Sequence, residues 1–387
     1  MSYYSPGSVL IVVQSLVGSG HLQRMAVLSR ALTDLGITVD LVSGGRPEPL
    51  LDVSPARLFQ LPPLVAANGD FTKLTDSFWR PITAGWQNRR QQLLLNLLGR
   101  IQPQVLVVEM FPFGRRKLRF ELLSLLRASA QSIPKPVIIC SVRDVLQQGR
   151  KPKHIKEMAN TINRFFDYVF VHGDPFLHRF EETFSRTAEI SHKLKYTGFI
   201  TRHVSNVKPT DAPGKDEIIV SAGGGAVGGK LFEIALRIAK RSTFGAKRWR
   251  ILVGNAVTEQ TYMKLAKDAG EGVTVERARS DFYWLLKNCA LSISQGGYNT
   301  LIEILQTGTK AVIIPFTGSG ETEQTFRATR LTNLGRVEMV TEEQLSVFTL
   351  ELAIEKALKQ PIGQISLPDM RGATQSARLI QGLLTST

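Results

Sequence analysis

The stretch LSISQGGYNTLIEILQTGTKAVIIPFTGSGETEQTFR, residues 291–327, decides how this chain folds. Its first apolar run is followed by the turn Gly296-Gly297, and then by a segment whose apolar residues recur at helical spacing until Gly308. A second apolar run, 311–314, leads into a polar loop. The pattern predicts a strand, a glycine turn, a helix, a second strand, a loop and another helix. Glycines at such a turn let the backbone approach a ligand, and a helix N-terminus favours negative charge there.

A glycine turn of this kind also occurs in α/β units that bind nothing. The polar side chains around this one favour a binding site. Glu303 falls near the first turns of the helix, and Glu321, Glu323 and Gln324 cluster beyond the next strand. Open parallel sheets bind ligands in the crevice outside the carboxyl ends of their strands, so these side chains are expected at a ligand.

The same stretch resembles the C-terminal, donor-binding half of the MurG-like (family 28) glycosyltransferases. Their motif reads Ser-x-x-Gly-x-x-Thr-x-x-Glu-Ile, then Gly-x-Pro-x-x-x-x-Pro, then a glutamine. The matching residues of this chain are Ser294, Gly297, Thr300, Glu303, Ile304, Gly308, Pro315 and Gln324. The chain departs from the family pattern at Lys310, where proline is usual, and in the loop that follows Pro315.

The resemblance implies a site for a UDP-sugar, with UDP-GlcNAc as the donor. The residues expected to bind the donor are Gly18, Gly20, Gly223, Gly224, Gly225, Arg277, Ser294, Gly296, Gly297, Thr300, Glu303, Glu323 and Gln324. Glu303 is expected to accept hydrogen bonds from the ribose hydroxyls, as the matching glutamate of the family does. We expect it on an exposed helix face, where its replacement should hardly affect the fold.

The start of the chain has a similar organisation. An apolar run, 9–14, leads into Gly18-Ser19-Gly20-His21, and a helix and a second apolar run follow. This βαβ order predicts a right-handed crossover in a parallel sheet. The dinucleotide fingerprint G-x-G-x-x-G is incomplete, because its last glycine is missing. The turn instead resembles the Gly-x-Gly-His element of the MurG-like enzymes, which contacts the diphosphate side of their cleft.

Strands and helices alternate on both sides of a polar segment, 201–215, that contains two prolines and a glycine. Such a composition is typical of an interdomain linker. We therefore expect an N-terminal acceptor-side Rossmann-like domain, 1–200, and a C-terminal donor-binding Rossmann-like domain, 216–387, which includes the final helix. The expected fold class is α/β of the GT-B type, with two doubly wound parallel-sheet domains facing across a cleft.

Composition limits the possible functions. The chain has 387 residues, 43% of them hydrophobic and 21% charged, as in soluble globular proteins. No apolar run approaches the ~18 residues of a membrane helix, and the first residues lack the basic start of a secretory signal. We therefore expect a cytoplasmic protein. The net charge of +15 suits an anionic substrate or membrane surface. Motifs of nucleic-acid binding are missing from the sequence, so no nucleic acid is expected as a partner.

A second glycine-rich loop, SAGGGAVGGK at 221–230, permits two interpretations. It satisfies the P-loop spacing G-x-x-x-x-G-K, but Leu231 stands where a P-loop needs serine or threonine for magnesium. The alternative is a loop whose backbone N–H groups hold a diphosphate without metal. The sequence contains no Asp-x-Asp pair and no histidine pair spaced for zinc, so no metal site and no cofactor are expected.

Inverting sugar transfer needs one base that takes the proton of the acceptor hydroxyl. Four ionisable residues follow predicted strands and suit this role by position: His21, Glu109, Asp144 and His172. A structural role is the alternative for each, and Arg143 next to Asp144 favours an ion pair there. His21 matches the histidine of the MurG-like family, as base or as orienting residue. The expected catalytic residues are therefore His21 and Glu109.

Aromatic and basic residues of the first half suggest a membrane-facing surface. Phe78, Trp79 and Trp86 precede a leucine-rich helix, 93–98, and a basic cluster, 115–117, follows. Apolar side chains framed by Lys or Arg suit a protein that binds at the membrane interface. The alternative assigns the leucines and aromatics to the core and the arginines to a solvated face.

The expected function is an inverting, metal-independent transfer of a sugar from a UDP-sugar to a glycan or lipid-linked acceptor. Two alternatives stay open. One is a GT-B enzyme that does not transfer sugar, such as a UDP-sugar 2-epimerase or hydrolase. The other is a non-catalytic subunit that binds sugar nucleotides within a membrane glycosylation complex.

Overall fold

The structure is a computed structural model that describes residues 7–16, 19–49, 51–66, 73–201, 211–223, 228–241, 244, 247–360 and 367–385. The chain divides into two compact units. The first comprises Met1–Arg202 and Pro368–Thr387, and the second comprises His203–Leu367.

The first unit is built on a seven-stranded sheet with the order β3-β2-β1-β6-β7-β8-β9, in which all paired strands are parallel. Its strands are β1 (Ser8–Val13), β2 (Thr38–Ser43), β3 (Arg57–Gln60), β6 (Val105–Glu109), β7 (Val137–Arg143), β8 (Tyr168–His172) and β9 (Leu194–Tyr196). A short antiparallel pair, β4 (Val65–Ala66) and β5 (Leu74–Thr75), lies outside this sheet. The central strands are continuous apolar runs because both of their faces are covered.

Helices cover both faces of this sheet. Those of the main part of the unit are α1 (Gly20–Thr33), α2 (Ala84–Ile101), α3 (Arg119–Gln131) and α4 (Pro152–Phe165). Successive residues of β1 point to opposite faces, as strand geometry requires. Leu10 and Val12 belong to the hydrophobic cluster of one face, and Val9, Ile11 and Val13 to that of the other.

The second unit contains a six-stranded parallel sheet of order β12-β11-β10-β13-β14-β15. The strands are β10 (Ile218–Ser221), β11 (Trp249–Val253), β12 (Val273–Arg277), β13 (Leu291–Ser294), β14 (Ala311–Ile313) and β15 (Glu338–Met339). The helices are α5 (Gly229–Ala239), α6 (Glu259–Lys267), α7 (Phe282–Asn288), α8 (Tyr298–Thr307), α9 (Glu323–Asn333) and α10 (Val347–Lys359).

Both sheets follow the doubly wound strand order, in which the chain builds outward from a central strand and then returns to that strand's other side. The reversal lies between β1 and β6 in the first unit and between β10 and β13 in the second. Loops at the carboxyl ends of two such neighbouring strands leave in opposite directions and open a crevice for a ligand. The motifs predicted from the sequence follow these four strands.

The final helix, α11 (Gly372–Thr385), corrects one predicted domain boundary. From the sequence, α11 was expected in the C-terminal domain. In the structure α11 packs on α1 of the first unit. Its buried residues Ala377 and Ile380 join the cluster that contains Val9 and Leu22. The approach is close at Gly372, whose N–H donates to the Phe199 carbonyl oxygen at 3.0 Å. Most of the predicted linker, 202–210, lies outside the described residues.

Candidate functional site

His21 and Glu109 meet at the strand-order reversal of the first unit. Glu109 is the last residue of β6, and His21 lies in the first turn of α1, which follows β1. The two residues are 88 positions apart, yet His21 Nδ1 and Glu109 Oε1 are separated by only 2.6 Å. The His21 side chain is 14% exposed and that of Glu109 is fully buried. The structure thus joins the two predicted catalytic residues into one hydrogen-bonded pair.

A third side chain completes this cluster. The guanidinium of Arg24 donates from Nη2 to the same oxygen, Glu109 Oε1. Arg24 is 4% exposed and lies three residues after His21, so both side chains leave α1 on the same face. Arg24 was not among the residues predicted for the site. Its only sequence signal is this spacing from His21.

The electrostatic environment gives the pair defined charges. Burial by itself raises the pKa of Glu109, but interactions with His21, Arg24 and Arg115 outweigh it and lower this pKa to about 2. Burial lowers the pKa of His21 to about 3; Glu109 opposes this shift, and Arg115 and Arg143 reinforce it. At neutral pH Glu109 is therefore ionised and His21 is neutral. A neutral imidazole supplies no charge, so we ascribe the ionised state of Glu109 mainly to Arg24, which is hydrogen-bonded to it, with a smaller contribution from Arg115.

The other two candidate bases are enclosed in the protein. His172 is fully buried; its Nε2 lies 2.8 Å from Ser141 Oγ and its Nδ1 lies 2.8 Å from Thr197 Oγ1. Burial lowers the pKa of His172 to about 3. Asp144 is 1% exposed and pairs with His178 Nε2 at 3.2 Å. Of the four predicted candidates, only His21 has solvent-accessible side-chain surface of any size.

The turn before α1 is partly described. Gly18, predicted to bind the donor, lies outside the described residues, and Gly20 is the first residue of α1. The N–H of Leu22 donates to Ser15 Oγ at 3.2 Å, which ties the first turn of the helix to the end of β1. Because His21 directly precedes Leu22, this hydrogen bond also holds His21 close to the segment that follows β1.

In the second unit the glycine loop after β10 is also partly described. Gly223 has φ +70°, a left-handed conformation that favours glycine, and no atom lies within 4 Å of the place that a Cβ would occupy. Gly224 and Gly225 lie outside the described residues. Lys230, in the first turn of α5, donates from Nζ to the Glu342 carbonyl oxygen at 2.8 Å. Lys230 therefore belongs to a contact within the unit.

The turn from β13 to α8 contains the motif residues. Gly297 is the N-cap of α8, and a Cβ on it would meet nothing within 4 Å. A Cβ on Gly296 would lie 3.1 Å from Ile313 Cγ2, so a larger residue here would have to displace that methyl group slightly. Ser294 is fully buried at the end of β13, and Thr300 is half-buried in the first turn of α8. The open side of the turn is therefore at Gly297.

Burial corrects the expectation for Glu303. The side chain was expected on an exposed helix face, but Glu303 is 7% exposed and belongs to the buried face of α8. A buried carboxylate is retained only where it has partners, because removing an ion from water is costly. Replacement of Glu303 will therefore affect the fold as well as any ligand.

The predicted residues of α9 take part in contacts within the unit. Gln324 Oε1 accepts a hydrogen bond from the Phe316 N–H at 3.1 Å and so orders the loop before the helix. Glu323 is 6% exposed, and its carboxylate pairs with Arg327 Nη2 at 3.3 Å. The guanidinium of Arg327 lies 5.4 Å from the centroid of the Tyr298 ring, the first residue of α8.

Arg277, at the end of β12, is also engaged. Its Nη1 donates to the Val257 carbonyl oxygen at 2.8 Å, its Nη2 pairs with Glu259 at 2.5 Å, and its guanidinium lies 4.4 Å from the centroid of the Tyr262 ring. These contacts join β12 to α6. Arg277 thus has a structural role in the described unit, and its predicted contact with a donor stays a prediction.

The aromatic and basic region divides into a buried and an exposed part. Leu94 and Leu98 of α2 lie in the core, and Trp86 packs against it, as the structural alternative predicted. Phe78 and Trp79 are 71% and 56% exposed. Arginines lie over both rings, Arg80 at 5.1 Å from the centroid of Phe78 and Arg46 at 4.7 Å from that of Trp79. In the described residues no helix is long and apolar enough to cross a membrane.

Comparisons with known proteins identify the class. Residues 219–381 match the model of the glycosyltransferase family 28 C-terminal domain. An uncharacterized glycosyltransferase of Methanopyrus kandleri is 24% identical over 267 residues, 66% of this chain and 72% of that protein. The UDP-N-acetylglucosamine–N-acetylmuramyl-(pentapeptide) pyrophosphoryl-undecaprenol N-acetylglucosamine transferase of Prochlorococcus marinus is 32% identical over 75 residues, 19% of this chain and 21% of that enzyme.

Solved structures share the fold. The crystal structure of Acinetobacter baumannii MurG superimposes with a TM-score of 0.58 at 15% identity, over 97% of this chain and 100% of that one. The glycotransferase of kitacinnamycin gives a TM-score of 0.64 at 14% identity, over 98% and 100% of the two chains. These structures show the GT-B fold, and the match to family 28 together with the Methanopyrus kandleri relative makes the protein a glycosyltransferase. It carries a family 28 C-terminal domain, which confirms the resemblance to the MurG-like enzymes seen in its motifs.

Proposed function

We propose that this glycosyltransferase moves a sugar, N-acetylglucosamine, from a UDP-sugar to a hydroxyl group of a glycan or lipid-linked acceptor, with inversion and without a metal ion. The observation that carries the proposal is the pair of His21 and Glu109. A neutral histidine held by a buried carboxylate is the arrangement that general-base catalysis needs.

In this proposal each member of the pair has its own role. Glu109 accepts the Nδ1–H of His21, which leaves the lone pair of the imidazole on Nε2. Nε2 takes the proton of the acceptor hydroxyl while the acceptor oxygen bonds to the anomeric carbon on the face opposite the diphosphate. The bond from that carbon to the diphosphate oxygen breaks, and UDP leaves with the electron pair. Glu109 stabilises the imidazolium as it forms.

Residues of the second unit support the donor class. The open turn at Gly297 and the carboxylate of Glu303 belong to one helix, α8, whose N-terminus favours a phosphate. A carboxylate suits the two hydroxyl groups of a ribose. The relative from Prochlorococcus marinus is named as an enzyme that uses UDP-N-acetylglucosamine, and its likeness to this chain supports the same donor.

Metal independence is part of the proposal. The sequence has no Asp-x-Asp pair, with which metal-dependent transferases hold a cation on the diphosphate. Two helices of the second unit, α5 and α8, begin directly after glycine-rich turns. Their N-terminal N–H groups and dipoles can stabilise the leaving diphosphate in the place of a cation. No cofactor is required, since the UDP-sugar is a substrate.

The proposal includes peripheral association with an anionic membrane surface on the cytoplasmic side. Phe78 and Trp79 provide exposed aromatic surface, and Arg46 and Arg80 lie over their rings. Aromatic rings flanked by basic side chains suit the lipid interface. The net charge of +15 gives a long-range attraction to such a surface.

The test of the function is His21→Ala, with the exposed His192→Ala as the matched control. Transfer of labelled sugar from UDP-GlcNAc to membrane-lipid and glycan extracts should fall about 10²- to 10⁴-fold in His21→Ala, while UDP affinity stays unchanged. His192→Ala should behave as wild type. Wild-type transfer by His21→Ala would refute the assignment of the base.

The products separate the alternative functions. Transfer with inversion gives the anomer opposite to that of the donor, which the anomeric proton coupling of the product reports. Release of UDP and free sugar without an acceptor would indicate a hydrolase, and a new sugar nucleotide would indicate an epimerase. UDP binding without turnover in any extract would indicate a non-catalytic subunit.

A further inference from the structure

One carboxylate oxygen has two partners on the same helix. Glu109 Oε1 lies 2.6 Å from His21 Nδ1 and also accepts a hydrogen bond from Arg24 Nη2. Glu109 is 0% exposed and Arg24 is 4% exposed. The His21 side chain reaches solvent, whereas the Arg24 side chain is buried. The pair proposed for catalysis is therefore one part of a three-membered cluster.

The cation in this cluster decides the charge of Glu109. A buried carboxylate without a cation is costly and takes up a proton instead. An arginine side chain stays charged at every pH that proteins experience, whereas His21 is neutral at neutral pH. A neutral imidazole supplies one hydrogen bond and no charge. Arg24, which is hydrogen-bonded to Glu109, is therefore the main cation that stabilises the ionised carboxylate in this buried position.

We infer that Arg24 is a positioning residue of the transfer reaction, which holds Glu109 as a carboxylate in the orientation that accepts the Nδ1–H of His21. The inference rests on the proposed function of His21 as the base. Arg24 acts through Glu109. Its effect is that His21 and Glu109 together hold a single titratable proton, which lies on Nδ1 of the neutral imidazole. The lone pair of Nε2 then stays available for the acceptor proton.

Other ionisable groups near the cluster set the background against which Arg24 acts. On the elements packed around it they are Arg115, Arg143, Asp144, His172 and Cys140. The first two lower the pKa of His21, and burial together with the charge of Glu109 raises the pKa of the Cys140 thiol. Arg115 also lowers the pKa of Glu109, and Arg24 has a hydrogen bond to Glu109 Oε1 itself.

Loss of the guanidinium should add a proton to the pair. Without Arg24, the ionised Glu109 attracts a proton onto His21 and forms an ion pair with it, or else takes up the proton itself. The first outcome raises the pKa of His21, so that the imidazole becomes charged at a higher pH than in wild type. In both outcomes the variant loses the free lone pair of His21 Nε2, which is the general base, at a pH where the wild-type protein still retains it.

The experiment is a pH titration of histidine ring nitrogens by NMR, without substrate. It compares wild type with Arg24→Met and Arg24→Gln, which remove the charge, and with Arg24→Lys, which keeps it. Arg30→Met, on the solvent side of the same helix, is the matched control, and His21→Gln identifies the resonance of His21. Arg30 pairs with the exposed Asp52, so its loss leaves the cluster intact.

We expect the neutral variants to raise the pH midpoint of the pair by about one unit or more, a tenfold change in proton affinity. Arg24→Lys should return the midpoint toward that of wild type, and Arg30→Met should not change it. The acid limb of kcat/KM should move with the midpoint. If Arg24→Met does not fold, Arg24→Gln is the variant in which the pH midpoint without the positive charge is measured.

Two results would overturn the inference: an unchanged midpoint in the folded neutral variants, or a wild-type His21 whose proton resides on Nε2. The titration needs no turnover, so it is independent of the proposed function. Wild-type transfer by His21→Ala would remove the catalytic role of His21 but would leave the proton balance of the cluster as measured.

Discussion

Replacement of Glu303 tests the donor site of the second unit. The side chain lies on α8, six residues after the N-cap Gly297, and is 7% exposed. If its carboxylate accepts hydrogen bonds from the ribose, their loss costs about 1.5–3 kcal/mol, the usual value for hydrogen bonds to a charged group. This range corresponds to about a 10- to 150-fold weaker affinity for UDP. Glu303→Gln keeps an accepting oxygen, so we expect the lower end for it and the upper end for Glu303→Ala.

Burial of Glu303 determines how the measurement is made. Because the side chain is buried, Glu303→Ala also leaves a gap in the unit and its former partners unpaired, which costs about 1–3 kcal/mol of unfolding free energy. Glu303→Gln preserves the volume and separates the effect on binding from that on folding. Isothermal titration with UDP and thermal melts are therefore done on the same samples, below the melting temperature of each variant.

A matched control comes from the same unit. Glu355, on α10, is 54% exposed and pairs with Lys359 at 3.6 Å, so Glu355→Gln makes the same chemical change away from the glycine turns. It should bind UDP as wild type does. Wild-type UDP affinity in folded Glu303→Gln and Glu303→Ala would refute the assignment of α8 to the nucleotide, and with it most of the argument for this donor.

Two further predictions concern the metal and the membrane. UDP affinity should change less than about tenfold, roughly 1.4 kcal/mol, between EDTA and magnesium; a larger loss on chelation would contradict metal-free binding. The protein should sediment with anionic but not neutral vesicles at low salt, because each basic residue near such a surface contributes about 1 kcal/mol that salt screens. Phe78→Ser with Trp79→Ser should weaken this binding, whereas Ile133→Ser, at a side chain 96% exposed in the same unit, should not. Equal binding to both kinds of vesicle would argue against an electrostatic membrane surface.

The strands were predictable because the sheets are buried on both faces. The apolar run 9–14 corresponds to β1, Ser8–Val13, and the run 311–314 corresponds to β14, Ala311–Ile313. A parallel strand that is covered by helices on both sides needs apolar residues at every position, and this pattern is visible in the sequence. The glycine turns then indicate where helices begin, so the doubly wound class follows.

Assignment of the final helix failed for a physical reason. Its amphipathic pattern shows that one face of α11 is buried, but not which unit covers that face. Ala377 and Ile380 find their partners in the cluster of Val9 and Leu22, at the other end of the sequence. Its position along the chain suggested that α11 belongs to the second domain. Packing between residues more than 350 positions apart instead places it in the first unit.

The residues of the candidate site could be predicted from the sequence, but their contacts with one another and their burial could not. His21 and Glu109 were separate candidates because each follows a strand, and the strand order that makes β1 and β6 neighbours brings them together. The same order cannot show which of the strand-end groups keep contact with solvent, and so His172 and Asp144 were also candidates by position, although Arg143 favoured an ion pair for Asp144. Burial separates the four candidates, because a base must reach its substrate and only His21 among them retains access to solvent.

Arg24 could not be recognised as a site residue from the sequence, since a lone arginine on a helix is ordinarily a solvated side chain. Its recognition required three facts together: the helix face that it shares with His21, the strand order and the burial of Glu109. Its importance follows from the carboxylate that it accompanies: burial of an ionised carboxylate at the carboxyl end of a strand is less costly where a permanent cation is buried with it.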